Sequence, residues 1–582
     1  MRLTIFSRVL FLLTFCASLG ANGDEVTLSK PEVAANDTAA QGSPSSPKPS
    51  QGEGEKAPAQ SRPTVVPEFS LPEVVITGEN ELTIGAQRLD RKENDVTLGS
   101  HELTGLDRAF NDLPGLDKTL TALSTEDAGP TRDTALILHL GGGIPNTYGG
   151  WGLFGQKFKD AQYLLSGHYS NWGGESTASG FDGDRKYGFG LETKLFSAEP
   201  LSFLLSGNFR QTDAELPYQS SMRELHQGLQ INGTAYWKLS ELVQSEFKVS
   251  SQSTWLNFWD QSSKTNQTQE LEGQFKLTAE DLGSFLNRLS IEAGGRHATS
   301  DFSGSQASAY DWAWAGLQAY FKHGENLGLT AKLQGQGGSG LNLPAKFYPV
   351  IDLTWMVFEN SQLDLYWRND RYVDNFQNTF QDVEHISPEA GFPAPTELNG
   401  EWGARFTQKL SEKIIASLSA STAQYLNYHQ WSDINFTTPS FIQSYSTLGQ
   451  VQINKAAANL QWSLTKDWIV AATYEWTQGL NQSDGRNLTA LPTHRGILSL
   501  YRSENKLETR IELQGLSERQ AFESAPGILP AMVVLNLDAT YHFTKTFSLW
   551  LNADNLWGQS FQLQPGYLEP QYHIRGGVEI IF

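Results

Sequence analysis

The sequence predicts an all-β chain that crosses a membrane as a closed antiparallel β-barrel of about 22 strands, with a short plug-like segment before it. From Thr134 to Phe582, segments of alternating apolar and polar residues follow one another, as strands with two different faces require. The connections between these segments are alternately short and long. No apolar run of about 18 residues follows the N-terminal region, and a closed barrel is the other structure that satisfies its backbone hydrogen bonds in a bilayer.

Residues 1–23 have the composition of a secretory signal peptide. Arg2 and Arg8 precede an apolar core, and small residues follow it. The only cysteine, Cys16, follows Phe15, whereas lipid attachment requires a small residue at that position. We therefore expect a secreted chain that lacks thiols after cleavage, which excludes disulfides, thiolate metal sites and cysteine nucleophiles.

Residues 24–67 are rich in Pro, Ser, Ala, Gln and Glu and poor in large apolar side chains. A segment of this composition cannot bury enough apolar surface to fold, so we expect a disordered, partly extended tether. Residues 68–133 follow as a short region that contains a β-branched segment and an amphipathic segment. This short region separates the tether from the predicted barrel.

The predicted barrel spans residues 134–582, with roughly 20 residues for each strand and its connection. Predicted strands include 346–358, 488–503 and 505–520. Every second connection is short, for example "LSEK" and "FTKT", while the other set includes the long stretch from Asp374 to Pro395. Outer-membrane barrels have short turns at one rim and longer loops at the other, and a soluble sandwich has no reason for this parity.

Within single strands, polar residues share one face and apolar residues share the other. In "FSLWLNADNLW", Leu549 and Leu551 alternate with Trp550 and Asn552. We expect the apolar face to contact lipid, because a charged side chain there would cost about 2–4 kcal/mol at mid-depth. At the C-terminus, the same alternation predicts a lipid-facing row of Tyr572, Ile574, Val578, Ile580 and Phe582.

The sequence contains none of the short motifs that would indicate catalysis. We find no zinc-hydrolase helix, no phosphate-binding loop and no serine nucleophile elbow, so we expect neither an enzyme nor a cofactor or metal centre. The net charge is −21, with 64 acidic and 43 basic residues. This charge argues against a nucleic-acid partner, because the phosphate backbone attracts basic surfaces.

Two groups of residues are candidates for contact with a solute. The group in the long outer loop is Asp374, Asp382 and His385. Ordinary solvated loop charge is the favoured alternative for this group. The second group, on one face of a predicted strand, is Tyr310, Trp312 and Trp314. For these aromatic residues we favour a belt at the membrane interface over a solute-stacking surface in the lumen.

The short region begins with "FSLPEVVITGENELTIGAQRLD". Its acidic residue, β-branched run and Thr-Gly are Glu73, Val74, Val75, Ile76, Thr77 and Gly78. This pattern resembles the energy-coupling box of TonB-dependent outer-membrane receptors, and it implies a TonB-like periplasmic partner. A partner can capture such an extended segment by strand addition, in which main-chain hydrogen bonds supply the affinity. An ordinary first strand of a small domain is the alternative, and "DEVTLSK" at residues 24–30 is a rival box.

Two further stretches resemble the same family. "LTGLDRAFNDLPGLDKTLTALS" is similar to the plug helix that precedes Leu-Pro-Gly, although a generic amphipathic helix that stops before Pro114 has the same pattern. The C-terminal stretch, with Asn555-Leu556 and a terminal Phe582, is similar to the final three strands of the family. In one respect the chain departs from the family, because residues 78–134 are too few for its usual plug sheet. We therefore expect a reduced plug.

The resemblance implies an outer-membrane receptor that takes up a scarce extracellular solute of unknown identity through the barrel, energised by TonB. It also implies membrane lipid around the barrel and a barrel-insertion machinery that reads the C-terminal strand. A passive or loosely gated pore is the first alternative, because the short plug-like region favours an open lumen. A structural or adhesive surface barrel is the second alternative.

Overall fold

The computed structural model describes residues 134–582 except for parts of the connections. Besides residues 1–133, the description omits 145–146, 158–160, 173–183, 196–199, 216–222, 260–264, 303–307, 325, 341–342, 359, 373–394, 432–444, 466, 490, 505, 522–526, 545 and 562–571. The predicted signal peptide, tether, box-like segment and plug-like region lie outside the described residues, so they stay predictions. Among the described residues, no helix is long and apolar enough to cross a membrane.

The described part of the chain forms 24 β-strands. In chain order these are β1 (Thr134–Ile144), β2 (Thr147–Lys157), β3 (Ala161–Trp172), β4 (Asp184–Leu195), β5 (Leu201–Glu215), β6 (Arg223–Lys238), β7 (Val243–Trp259), β8 (Thr265–Glu280), β9 (Leu286–Phe302), β10 (Ser308–His323), β11 (Leu327–Ser339) and β12 (Lys346–Phe358). They continue with β13 (Ser361–Tyr372), β14 (Thr396–Ser411), β15 (Ile414–Trp431), β16 (Tyr445–Ser463), β17 (Trp468–Asn481), β18 (His494–Glu504), β19 (Leu507–Leu516), β20 (Arg519–Gln520), β21 (Ile528–Leu529), β22 (Met532–His542), β23 (Phe547–Asp554) and β24 (His573–Ile581).

Twenty-two of these strands form one antiparallel sheet, and β20 and β21 form a separate two-stranded hairpin. Neighbours in the sheet follow chain order, and β1 also pairs with β24, so the sheet closes into a barrel. At this closure Leu138 lies opposite Ile580, and Leu140 lies opposite Val578. The structure confirms the predicted all-β barrel and its number of strands.

Connection length separates the two rims of the barrel. Ten connections lie at the rim where β1 begins and β24 ends, and each has two to five residues. The connections at the other rim have two to 23 residues, and the longest joins β13 to β14. We call the two ends the short-turn rim and the long-loop rim. The predicted parity of the connections is confirmed.

An apolar band covers the outer face of the barrel next to the short-turn rim. On β15 this face carries Ile414, Ala416, Leu418 and Ala420. Exposed Trp462 lies opposite Ile414 at one edge of the band, and exposed Trp402 lies opposite Thr422 at the other. Eight residues at about 3.3 Å each, tilted by roughly 40°, span about 20 Å, close to the apolar height of membrane barrels.

The inner face of this band is polar, as the alternation predicts. On β7, Glu246 and Lys248 form a 2.5 Å ion pair on the face opposite to exposed Phe247. At the closure, the Arg575 guanidinium donates a 2.6 Å hydrogen bond to the Asn552 side-chain oxygen inside the barrel. Water in the lumen can solvate such groups, whereas hydrocarbon cannot.

The closure between β1 and β24 requires glycine because the two backbones approach closely. A Cβ atom at Gly577 would overlap the Leu140 carbonyl oxygen, and one at Gly143 would overlap the Ile574 carbonyl oxygen. Glycine has no Cβ and therefore allows this approach. The glycines of "HLGGGI" and "RGGV" thus permit the first and last strands to pair.

Two predicted strands are wrong in their bounds. The predicted strand 488–503 begins at His494, because the chain turns back before it and the amide of Leu488 donates to the Gly479 carbonyl at 3.0 Å. The predicted strand 505–520 ends at Leu516, and Arg519 pairs with Leu529 in the small hairpin instead. In the first case the apolar run "LTALP" of a loop resembles the start of a strand, and in the second the extended residues after Leu516 belong to the hairpin.

Candidate functional site

Tyr310, Trp312 and Trp314 lie on the inner face of β10. Leu317, on the opposite face, is 49% exposed, whereas Tyr310 is 1% and Trp314 is 8% exposed. The indole rings of Trp312 and Trp314 have centroids 4.6 Å apart. The predicted interface belt is therefore wrong for these three residues. The lipid-facing positions beside them are Ala309, Asp311, Ala313 and Ala315, so in the sequence the aromatic face is the more apolar of the two.

A charged group lies beside this aromatic row. The Arg296 guanidinium stacks on the Trp312 ring at 5.3 Å, and it pairs with the Glu272 carboxylate at 2.7 Å. The wall under the row is flat, since a Cβ atom at Gly294 would overlap the ring of Trp314. The indole N–H of Trp312 has no acceptor among the residues that the structure describes. The ring of Trp312 is partly exposed, so this surface offers aromatic stacking area beside a charged group, as solute-binding walls do.

Further ion pairs extend the polar wall from β9 to β13. Lys332 pairs with Glu292 at 2.7 Å, and Arg368 pairs with Asp352 at 3.0 Å. Glu292 lies two strands away from Lys332, and Asp352 lies on the strand next to Arg368, so the charges balance locally. Paired side chains of this kind provide hydrogen-bonding groups along a lumen without a large net charge.

A buried cluster at the long-loop rim was missed by the sequence analysis. The side chain of Arg371 is completely buried and donates to Glu397 at 2.7 and 3.1 Å and to the Pro344 carbonyl at 3.0 Å. Lys346 also binds Glu397. The β13–β14 register shifts just before this point, after Arg368, so simple alternation does not predict where Arg371 points. The cluster ties the two stems of the longest loop to each other.

The predicted loop residues Asp374, Asp382 and His385 lie outside the described residues. The chain enters their loop directly after Tyr372, the last residue of β13 and a neighbour of Arg371. Among the described residues, no group of three or more His, Cys, Asp or Glu side chains could hold a metal ion. The role of the loop residues stays a prediction.

An apolar cluster lines the inner face of the long-loop half. Its buried members are Leu398, Ala423, Tyr425, Tyr428, Leu448, Val451, Ile453 and Leu488. Val451 and Ile453 lie on the face of β16 opposite to exposed Leu460. Leu488 comes from the connection between β17 and β18, so this part of the connection packs against the inner wall.

The predicted C-terminal row lies on the outer side of β24 and of the residues directly before and after it. Tyr572, Ile574 and Phe582 are 44%, 36% and 56% exposed, while His573 and Arg575 on the alternate face are buried. Val578 and Ile580 continue the outer row. Recognition of this row by an insertion machinery stays a prediction.

The Asn555-Leu556 pair has a structural explanation. Asn555 has a left-handed backbone with φ 51°, which asparagine tolerates better than most residues. Its side chain donates to the Gln559 carbonyl at 2.7 Å and accepts from the Gln559 amide at 3.1 Å. Its own amide donates to the Asn536 side chain at 3.0 Å. Asn555 therefore closes the turn that follows β23.

No family model matches the sequence, and no curated protein matches it. Among solved structures, the fold is similar to the copper transporter OprC, with a TM-score of 0.64 and 12% identity over 78% of this chain and 82% of that chain. The FrpB iron transporter from Neisseria meningitidis has a TM-score of 0.64 and 10% identity over the same shares. The ferric-catecholate import receptor Fiu from E. coli K12 has a TM-score of 0.61 and 10% identity, again over 78% and 82%.

These neighbours are TonB-dependent receptors, and their names describe two transporters and an import receptor. The matched share of this chain is about the share that the barrel, Thr134–Phe582, represents. At this level of identity the likeness concerns the fold, and it agrees with the strand number and the two rims. The chain therefore has the closed 22-stranded barrel fold of the TonB-dependent outer-membrane receptors.

Proposed function

We propose that the chain is an outer-membrane receptor that takes up a scarce extracellular solute through its barrel, energised by a TonB-like periplasmic partner. The observation that carries this proposal is the closed barrel of 22 strands. In outer-membrane transporters a barrel of this size encloses a lumen that must be plugged. The solved neighbours, which include transporters of copper and iron, support a transport function.

The solute would meet two surfaces at the long-loop rim. The outer loop would offer Asp374, Asp382 and His385. The inner wall would then offer the aromatic row of β10, where the partly exposed ring of Trp312 can stack on a planar or apolar part of a solute. A solute that enters at the long-loop rim would meet both surfaces before it reaches the ion pairs between β9 and β13.

Energy would reach the barrel through the segment from Glu73 to Gly78. Its β-branched residues favour an extended backbone, which a periplasmic partner can pair with as an added strand. The Pro-rich residues before it would form an extended linker that allows the N-terminal part of the chain to contact the periplasmic partner. Membrane lipid surrounds the apolar band in this proposal, and the insertion machinery would read the outer row that ends at Phe582.

A passive or loosely gated pore is the second candidate function. The short interval between Gly78 and Thr134 favours it, because so few residues fill a wide lumen poorly. A structural or adhesive surface barrel is the third candidate. Neither of these functions requires an energised partner or a solute-binding inner wall.

Single-channel conductance tests the proposal. We would compare the full chain in a planar bilayer with a variant that lacks residues 24–130. A plugged receptor predicts a closed full chain and a conducting truncated variant, because only the N-terminal residues block the lumen. A full chain that already conducts would favour the pore. If neither the full chain nor the truncated variant conducts, and the periplasmic domain of the partner changes neither conductance, a structural barrel would be favoured.

A further inference from the structure

A patch of uncharged polar side chains, one threonine and five amides, lies on the outer face of β15, β16 and the end of β17. Its members are Thr422, Gln450, Gln452, Asn454, Gln478 and Gln482, and we call it the amide patch. Thr422, Asn454 and Gln478 form one row across the three strands, and Gln450 lies beside the end of β17 in a row closer to the long-loop rim. None of the six side chains carries a charge.

The alternation of the strands places the amide patch outside the barrel. Asn454 shares its face of β16 with exposed Leu460, and Gln478 shares its face of β17 with exposed Tyr474. The pairing of β15 with β16 and of β16 with β17 has no register shift at the patch, so the faces do not exchange there. Buried Val451 and Ile453 occupy the inner face at the same height.

Hydrogen bonds connect the patch across the strands. The Thr422 hydroxyl donates to the Asn454 side-chain oxygen at 2.7 Å, and the Gln452 amide donates to the same oxygen at 3.2 Å. The Gln482 amide donates to the Gln452 oxygen at 2.8 Å. Each primary amide has two donors and an acceptor with two lone pairs, so this network leaves further donors and acceptors for a ligand. The network also fixes the side chains in advance, which lowers the entropy cost of binding.

The position of the patch limits its ligand. Thr422 lies opposite exposed Trp402 at the edge of the apolar band, so the patch begins where the hydrocarbon ends. Amides facing lipid tails would be left unsatisfied. A phosphate headgroup is recognised by Arg or Lys, which the patch lacks. Hydroxyl groups of a sugar are uncharged donors and acceptors, and they fit these amides.

We propose that the amide patch binds the uncharged sugar headgroup of a glycolipid in the membrane around the barrel. The surface is continuous, because only alanines separate the patch from Leu418 and Leu460 on the same face, and these apolar residues offer a place for the acyl chains of the same molecule. A free glycan would leave this apolar surface unused. The proposal rests on the membrane location in the proposed function, and it is independent of transport.

The test uses the full chain, purified in an amine-oxide detergent so that no sugar headgroup competes. It is reconstituted in nanodiscs that contain phosphatidylcholine, phosphatidylglycerol and the neutral glycolipid digalactosyldiacylglycerol in equal amounts. After extraction, mass spectrometry measures the lipids that stay bound. We expect severalfold enrichment of the glycolipid over both phospholipids. No enrichment, or enrichment of phosphatidylglycerol, would overturn the proposal, and the conductance experiment would be unaffected.

Matched variants locate the site. The double variant Gln452→Ala/Asn454→Ala should lose the enrichment. The double variant Gln211→Ala/Gln227→Ala removes another amide pair from the outer face, bonded at 2.8 Å on β5 and β6, and should keep it. Equal enrichment in both variants would refute the assignment to this patch. If soluble digalactose binds as tightly as the glycolipid, the acyl chains have no role in binding. If a stable dimer of the chain covers the patch, the occupant is a second copy of the chain and not a lipid.

Discussion

Trp550 stacks on His139 across the closure of the barrel, with ring centroids 4.4 Å apart and ring planes 14° apart. Trp151 stacks on the other face of the same imidazole at 5.1 Å, and the Glu579 carboxylate lies 3.7 Å from its Nδ1 atom. Gly141 leaves the room for this arrangement, since a Cβ atom there would overlap the ring of Trp550. The seam is therefore held by side chains from four strands as well as by its backbone hydrogen bonds.

The first prediction is that Trp550→Leu weakens the closure. An aromatic pair contributes about 0.5–1.5 kcal/mol beyond its buried area, so we expect the variant barrel to unfold at a lower temperature. The temperature at which the compact band disappears in a heat-modifiability gel measures this. Trp355→Leu is the control, because Trp355 is an exposed aromatic on the outer face of β12. If both variants unfold at the same temperature, the stack contributes nothing particular to the seam.

The second prediction concerns the last residue. The amide of Phe582 donates to the Leu136 carbonyl at 2.8 Å, and its carbonyl accepts from the Leu136 amide at 3.2 Å. Deletion of Phe582 removes both closing hydrogen bonds and the exposed aromatic ring, so less folded barrel should reach the membrane. Phe582→Ala keeps the backbone and should be milder. Ile581→Val changes a side chain on the inner face and should give almost the same yield as the natural chain. The yield of heat-modifiable barrel measures all three variants. An equal loss of yield in the three would contradict the prediction.

The third prediction concerns Arg371. Removing one partner of a buried ion pair costs about 3–5 kcal/mol, and we expect Arg371→Met to lie near the lower end because Lys346 still binds Glu397. The free energy of unfolding in denaturant measures this cost. Arg486→Met is the control, since its pair with Asp484 is solvent-exposed and should contribute about 0–1 kcal/mol. A similar small effect in both variants would show that the buried cluster does not stabilise the loop stems.

Regular strands were predictable from the sequence, while irregular positions were not. The predicted strand 346–358 has the same bounds as β12, because period-two alternation and short turns persist there. The burial of Arg371 was not predictable, since it depends on the register shift after Arg368. The placement of Trp312 also failed, because a face rich in aromatic residues fits both a lumen wall and an interface belt.

The fourth prediction concerns the orientation of the two rims. An epitope inserted between β13 and β14 should be accessible to antibody on intact cells, because long loops face outwards in outer-membrane barrels. An epitope inserted in the turn Glu412–Lys413, at the short-turn rim, should become accessible only after the membrane is permeabilised. Surface labelling measures both. If only the epitope in the short turn is labelled on intact cells, the short-turn rim faces outwards and the predicted orientation is wrong.

The last prediction concerns the coupling segment from Glu73 to Gly78, whose contribution would depend on its main-chain N–H groups. Val75→Pro removes one of these donors and fixes φ, so we expect it to abolish binding of the periplasmic partner domain in a pull-down. Val75→Ala keeps a competent backbone and should bind almost normally. Val26→Pro makes the same change in the rival box and should have no effect. Normal partner binding by Val75→Pro with raised conductance would instead identify the segment as a plug strand and favour the pore.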